Sequence, residues 1–177
     1  MIARVLVLDP KEQAEHAMLL DLARNDVARV SQPGTCHVVQ QFAIEKYSQV
    51  QHLVSRVRGA LRPGLDALHA YRGVANMGTL TGAPKLEAMS IIRRAEPSAR
   101  GYYGGAAGYL LQDGRMDTCI VIRTLRQHGG RYRTRAGAGI VAHSVPQREL
   151  DEIAAKSLAC RVAVAMADAV ESNGGRR

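Results

Sequence analysis

The chain has 177 residues, which is enough for one domain with a sizeable core. Hydrophobic residues make up 46% of it, so the composition predicts a globular protein rather than a disordered one. The formal net charge of +8 suggests an anionic partner. The arginines are scattered and no nucleic-acid-binding motif is present, so we expect no nucleic-acid partner.

The three cysteines, Cys36, Cys119 and Cys160, are far apart and form no C-x-x-C pair. They therefore predict neither a zinc site nor a disulfide framework, but three reduced thiols in a cytoplasmic protein. No apolar run reaches about 18 residues, so we expect no transmembrane helix and no membrane partner. The apolar N-terminus is too short to be a secretory signal.

The first half of the chain is predicted to begin with a strand and a long helix. Pro10 after Asp9 is typical of a helix start, and apolar residues then recur at helical spacing. Pro63-Gly64 marks a later turn. The predicted elements are a strand at residues 2–8, a helix from 10 to about 30, strands at about 36–44 and 50–58 with a break near Tyr47-Ser48, and a helix at 65–75.

The second half is predicted to be a strand meander between two helices. Asp113-Gly114 and Gly129-Gly130 are typical of hairpin turns. The predicted elements are a loop at residues 78–85, a helix at about 84–94, strands at 103–112, 116–125 and 132–135, and a helix from 146 to about 167. This order indicates an α+β fold with antiparallel sheets packed with helices, not an alternating βαβ fold.

Three charged residues of the last predicted helix share one face. Glu149, Glu152 and Lys156 are spaced i, i+3 and i+7. Two close carboxylates favour a cation between them, and a hard divalent metal suits oxygen ligands. Lys156 could then hold a carboxylate of an anionic substrate. The alternative is a solvated helix face with an ordinary i,i+4 pair between Glu152 and Lys156.

A series of short motifs makes the chain recognisable. It resembles the C-terminal part of the synthase domain of chorismate-utilising enzymes, and within that family the large subunit of anthranilate synthase (component I). The resemblance rests on the combination of these motifs, which occur in the same order as in the family, from about residue 10 to residue 160. The motifs are residues 14–16, 21–26, 47–48, 52–55, 76–85, 100–101, 103–106, 117–123, 136–141 and 144–147.

The resemblance implies a reaction and two partners. Chorismate would bind with Mg²⁺, ammonia would add to the ring, and loss of water and then pyruvate would give anthranilate. The ammonia would come from a glutamine amidotransferase subunit (component II). This is the committed step of tryptophan synthesis.

The resemblance also assigns the metal and proton-transfer residues. Glu15 and Glu152 correspond to direct Mg²⁺ ligands, and Glu149 to a further carboxylate of the metal site. His52 corresponds to the active-site histidine near the reacting ring, and imidazole is suited to proton transfer at neutral pH. Without the matching Leu53-Val54-Ser55 that follows it, a lone histidine would be read as structural.

The substrate-binding residues are assigned in the same way. Tyr103 and Arg123 would hold the enolpyruvyl carboxylate, for which a guanidinium offers a planar fork. Gly139 would present backbone N–H groups to a substrate carboxylate. Thr79 and Lys156 would complete the anion site. The motif at residues 21–26 is interpreted as structural support for the site.

The family's synthase domain continues well upstream of residue 1. The resemblance therefore implies that residues 1–170 are the C-terminal portion of that domain, with a disordered tail at 171–177. An active-site motif, the general acid for loss of the ring hydroxyl and much of the sheet would lie upstream. We expect such a fragment to expose a sheet edge and apolar surface, and hence to self-associate or to depend on an upstream partner chain.

Two alternatives stay open. The chain could belong to a sister chorismate enzyme, an aminodeoxychorismate synthase or an isochorismate/salicylate synthase. It could also be a non-catalytic remnant that binds chorismate or the amidotransferase. Mg²⁺-dependent chorismate binding without turnover would separate the remnant from an enzyme.

Overall fold

The computed structural model describes residues 10–46, 51–142 and 144–174. The predicted strand at 2–8, the break at Tyr47-Ser48 and the last residues of the predicted tail, 175–177, lie outside these ranges. The described helices are α1 (Pro10–Ala28), α2 (Ala67–Val74), α3 (Gly78–Thr81), α4 (Lys85–Ala95) and α5 (Pro146–Gly174). The strands are β1 (His37–Lys46), β2 (Gln51–Arg58), β3 (Ala106–Leu110), β4 (Met116–Ile120), β5 (Leu125–His128) and β6 (Arg131–Thr134).

The strands form three two-stranded sheets of sequential neighbours, β1–β2, β3–β4 and β5–β6. The first and third are antiparallel. Helices accompany small antiparallel sheets, so the predicted α+β class is confirmed.

The chain divides into two compact units. One unit contains Met1–Ala99 with Gly108–Thr118, and the other contains Arg100–Ala107 with Cys119–Arg177. In the first unit, α1 packs against both strands of the β1–β2 hairpin and against α2 and α3. The second unit contains β5, β6 and α5.

Several predicted boundaries were wrong in an instructive way. The predicted strand at 103–112 begins only at Ala106, because Gly101 and Gly104 take φ of 63° and 79° and make residues 101–104 a turn. The predicted strand at 116–125 ends at Ile120, and Arg123, with φ of 49°, breaks the extended chain before β5 begins at Leu125. The predicted loop at 78–85 contains the single helical turn α3. Helix α5 extends past the predicted end near residue 167, to Gly174.

Little apolar surface is buried. Among the described residues, the buried hydrophobic side chains are Leu20 and Cys160, and none of the side chains is less than 2% exposed. Large apolar side chains recur along α5 at positions that face solvent. They are Leu150, Leu158, Val162, Met166 and Val170. No helix in the described ranges is long and apolar enough to cross a bilayer.

The start of α2 supplies a first testable prediction. Asp66 is the N-cap: its Oδ1 accepts the backbone N–H of His69 at 2.9 Å, and the His69 side chain accepts the Asp66 N–H in return. The hydrogen bond from the His69 backbone lowers the pKa of the Asp66 carboxyl from its usual 3.8. The stabilisation is therefore complete above the unfolded-state value and is lost as the pH falls through the folded-state pKa.

We expect Asp66→Ala to lower the melting temperature at neutral pH, because the cap acceptor is removed. Asp66→Asn keeps an oxygen acceptor without the charge, so it should lose less. The advantage of wild type over Asp66→Asn should shrink as the pH is lowered from about 7 to about 3. Circular dichroism melts of the three proteins check this, and an advantage that stays constant with pH would contradict it.

Candidate functional site

Two hydrogen bonds join Val141 and Ser144 just before α5, in the second unit. The Val141 N–H donates to Ser144 Oγ at 3.1 Å, and the Ser144 N–H donates to Val141 O at 2.9 Å. Pro146 then begins the helix, as its fixed φ and missing N–H favour. Glu149, in the first turn, is buried, with 4% of its surface exposed. A buried carboxylate near a helix N-terminus also benefits from the helix dipole.

Lys156 connects α5 to the loop at residues 136–141, which is rich in glycine and alanine and is called the small-residue loop below. Its Nζ forms an ion pair with Glu152 Oε1, one turn earlier on the helix. The same Nζ donates to the backbone oxygen of Gly137 at 3.3 Å. The i,i+4 pair expected on a solvated face is therefore present, but the lysine also reaches the loop, which an ordinary surface pair does not require.

The turn at residues 101–104, which contains Tyr103, lies beside the segment at Val121 that precedes Arg123. The Gly104 N–H donates to Val121 O at 2.9 Å, and the Val121 N–H donates to Gly105 O at 2.9 Å. Arg123 follows two residues later and is exposed. The second unit thus brings the segments that carry Tyr103 and Arg123 together.

Tyr103 also approaches Gly137 closely. A Cβ added at Gly137 would lie 3.0 Å from the Tyr103 hydroxyl, so a larger residue there would require the tyrosine to shift by a few tenths of an ångström. A Cβ at Gly139 would meet nothing within 4 Å. Tyr103, Gly137, Lys156 and Glu152 are therefore linked by successive close approaches in one region of the second unit.

Two arginines surround the Tyr103 ring. The guanidinium carbons of Arg100 and Arg135 lie 5.7 Å and 5.9 Å from the ring centroid, within cation–π range. The sequence did not predict a role for Arg135, because it precedes the small-residue loop with no spacing that relates it to Tyr103. The two arginines place guanidinium groups, which can pair with carboxylates, beside the Tyr103 ring.

Glu15, His52 and Thr79 belong to the first unit. Glu15 is half-buried on α1, and His52 is half-buried in β2, opposite Glu45 of β1. Beside Glu15, the Nε2 of His16 lies 2.7 Å from Ser55 Oγ, and burial lowers the pKa of His16 from 6.5. Thr79 is exposed on α3.

The segment that carries Thr79 is anchored by a buried ion pair. Lys85 Nζ lies 2.5 Å from Asp26 Oδ2 and 3.4 Å from the oxygen of Ala75, which precedes α3. The exposed fractions of the Lys85 and Asp26 side chains are 16% and 11%. The predicted supporting role of the 21–26 motif therefore has a definite contact at Asp26.

Within the described ranges, no group of three or more His, Cys, Asp or Glu side chains is arranged to hold a metal ion. Glu15 and Glu149 each have a carboxylate oxygen that is shielded from solvent, and both residues have interactions in the described part of the chain. A buried carboxylate oxygen requires a proton, a donor or a cation to offset its desolvation. Carboxylate oxygens are also hard ligands of the kind that Mg²⁺ prefers.

The chain belongs to the family of chorismate binding enzymes, whose family model matches residues 2–161. Anthranilate synthase component 1 of Vibrio parahaemolyticus is 55% identical over 165 residues, which is 93% of this chain and 30% of that protein. The corresponding protein of Escherichia coli is 54% identical over 159 residues, covering 90% of this chain and 31% of the relative. The chain thus spans about a third of the length of these relatives.

The fold is similar to that of solved family members. The crystal structure of anthranilate synthase component I from Streptococcus pneumoniae superposes with a TM-score of 0.83 at 43% identity, over 88% of this chain and 36% of that one. The menaquinone-specific isochorismate synthase of Escherichia coli gives 0.79 at 28% identity, over 90% of this chain and 36% of that one.

Proposed function

We propose that this chain forms the chorismate-binding C-terminal part of an anthranilate synthase component I. The observation that carries the proposal is the 55% identity to a protein of that name across 93% of the chain. The grouping of Arg100, Arg135 and the Tyr103 hydroxyl supports it, because chorismate is a dicarboxylate. The reaction converts chorismate and ammonia to anthranilate, pyruvate and water in tryptophan synthesis, in the cytoplasm.

We propose that hydrogen-bond donors of this chain bind the carboxylates of the substrate. The Tyr103 hydroxyl and the Arg123 guanidinium bind the enolpyruvyl carboxylate. Lys156, Thr79 and backbone N–H groups at Gly139 bind the remaining anionic oxygens. Arg100 and Arg135 keep the Tyr103 ring in place and add positive potential.

His52 is the proposed proton-transfer group beside the ring, since imidazole exchanges a proton near neutral pH. Glu15 and Glu152 are the proposed direct Mg²⁺ ligands and Glu149 a further carboxylate of the metal site, on the family resemblance and the hard-oxygen chemistry of carboxylates. The bound metal would supply positive charge for the ring carboxylate of the substrate.

A glutamine amidotransferase subunit is the proposed source of ammonia. The exposed apolar surface of this chain favours association with another polypeptide.

A chimera tests the proposal. In it, this chain replaces the matching region of the Vibrio relative, and anthranilate fluorescence is followed with chorismate, ammonium and Mg²⁺. We expect anthranilate from the chimera and none from the same chimera carrying Arg123→Ala. A folded chimera that makes no anthranilate would contradict the proposal.

The similarity to an isochorismate synthase favours a second candidate, a sister enzyme that adds water instead of ammonia. The two candidates differ in their co-substrate, because an isochorismate synthase needs no ammonium. Chorismate binding without any product would instead indicate a non-catalytic binding chain.

A further inference from the structure

The β1–β2 hairpin of the first unit has an irregular register. His37 and Val38 pair with Arg58 and Val57, but Glu45 pairs with His52, so β1 contains two more residues than a regular ladder would allow. The shifts fall between Val38 and Gln40 and between Gln40 and Ala43. Each extra residue on one strand is a bulge, and a register change of one residue reverses the face of every following side chain.

Phe42 lies in the second irregularity and has φ of 51°. This left-handed conformation is unfavourable for a bulky aromatic residue and persists only where its surroundings hold it. The Phe42 N–H leaves the ladder and donates to Ser55 Oγ at 3.1 Å. The serine hydroxyl thus satisfies the backbone group that the bulge displaces.

The same hydroxyl reaches α1. His16 Nε2 lies 2.7 Å from Ser55 Oγ, and the His16 ring lies 4.9 Å from the Phe42 ring at an interplanar angle of 55°. A hydroxyl has one donor and two acceptor sites, so Ser55 can serve both partners at once. Glu15 is the neighbour of His16 on the helix, and His52 lies three residues from Ser55 along β2.

We propose that Ser55 and His16 are positioning residues for the reaction, which rests on the roles proposed above for Glu15 and His52. Ser55 holds the Phe42 bulge and so fixes the register that places His52 opposite Glu45. His16 fastens that bulge to the helix that carries Glu15. The pair thereby sets a proposed metal carboxylate and the proposed proton-transfer group relative to each other within one unit.

The register is measured directly by cross-strand NOEs in the labelled full chain. In wild type we expect contacts for the pairs Glu45–His52 and Ile44–Leu53. Ser55→Ala removes the acceptor of the Phe42 N–H, so the bulge should be lost and Ile44 should move opposite His52. Ser55→Thr keeps a hydroxyl and should restore the wild-type contacts. The matched control is Ser90→Ala, whose hydroxyl accepts only from Arg94 of the same helix among the bonds described.

An unchanged register in Ser55→Ala would overturn the proposal. If that variant does not fold, Ser55→Cys decides by the same NOEs, since a thiol is a weak hydrogen-bonding group. His16→Phe keeps a ring against Phe42 but loses the hydrogen bond, so the register should survive while Mn²⁺ binding, followed by EPR, weakens about 10- to 100-fold. Unchanged Mn²⁺ affinity in His16→Phe would overturn the coupling to Glu15. If wild type itself binds no Mn²⁺, the proposed function is refuted, while the NOEs still decide the register claim.

Discussion

Asp26→Ala is expected to lower the free energy of unfolding by about 3–5 kcal/mol, because it leaves the Lys85 ammonium buried without its carboxylate. The two charged atoms lie 2.5 Å apart, and the side chains are only 16% and 11% exposed, so water would replace the lost partner only in part. For a chain of this size, about 2–4 °C of melting temperature corresponds to each kcal/mol. Urea unfolding followed by circular dichroism measures the change.

Two comparisons make this result specific. The double variant Asp26→Leu with Lys85→Met removes both charges and should be far less destabilised than either single variant. Asp21→Ala breaks the pair with Arg24, whose side chains are 68% and 58% exposed, and should cost no more than about 1 kcal/mol. A loss below about 1 kcal/mol in Asp26→Ala would show that the ion pair does not hold this unit together.

Glu152→Gln is expected to weaken Mg²⁺-dependent chorismate binding by at least about 100-fold. Loss of a residue that only orients a metal ligand typically lowers metal affinity or activity about 10- to 100-fold. Loss of a direct carboxylate ligand should lower them at least as much. The variant also removes the partner of Lys156, but both side chains are at least a third exposed, so the effect on stability should be small. Calorimetric titration and a thermal melt separate the two effects.

Asp151→Asn is the matched control. It removes the same charge one residue earlier on α5, from an exposed side chain that accepts only from Gln147 among the bonds described. We expect its chorismate affinity to stay close to that of wild type. Equal losses in the two variants would mean that the net charge of the helix matters, not a metal ligand at Glu152.

The elements that the sequence predicted best are those set by local patterns. The start of α1 follows from Asp9-Pro10, and the β5–β6 hairpin follows from Gly129-Gly130, both of which take positive φ. The strand that was predicted across Arg123 was wrong, because its pattern of side chains gave no sign of the left-handed φ at that residue. The bulge at Phe42 was invisible for the same reason, as an aromatic residue in a strand pattern predicts extended backbone.

In the candidate site too, some features could be predicted from local patterns and others could not. The face of Glu149, Glu152 and Lys156 could be read from helical spacing alone, and the structure places Glu152 and Lys156 in contact. The contact of Lys156 with Gly137 and that of Lys85 with Asp26 join residues 19 and 59 positions apart, which no periodic pattern relates. Arg135 beside Tyr103 belongs to this second group, because only the folded turn at residues 101–104 brings the ring to it.

The most direct measurement is calorimetric titration of chorismate into the full chain, once with Mg²⁺ and once with a chelator. The account predicts saturable one-site binding with Mg²⁺, and its loss both in the chelator and in Arg123→Ala. Binding that is indifferent to the metal would contradict the proposed carboxylate set. The absence of binding under both conditions would contradict the claim that this chain carries a chorismate site.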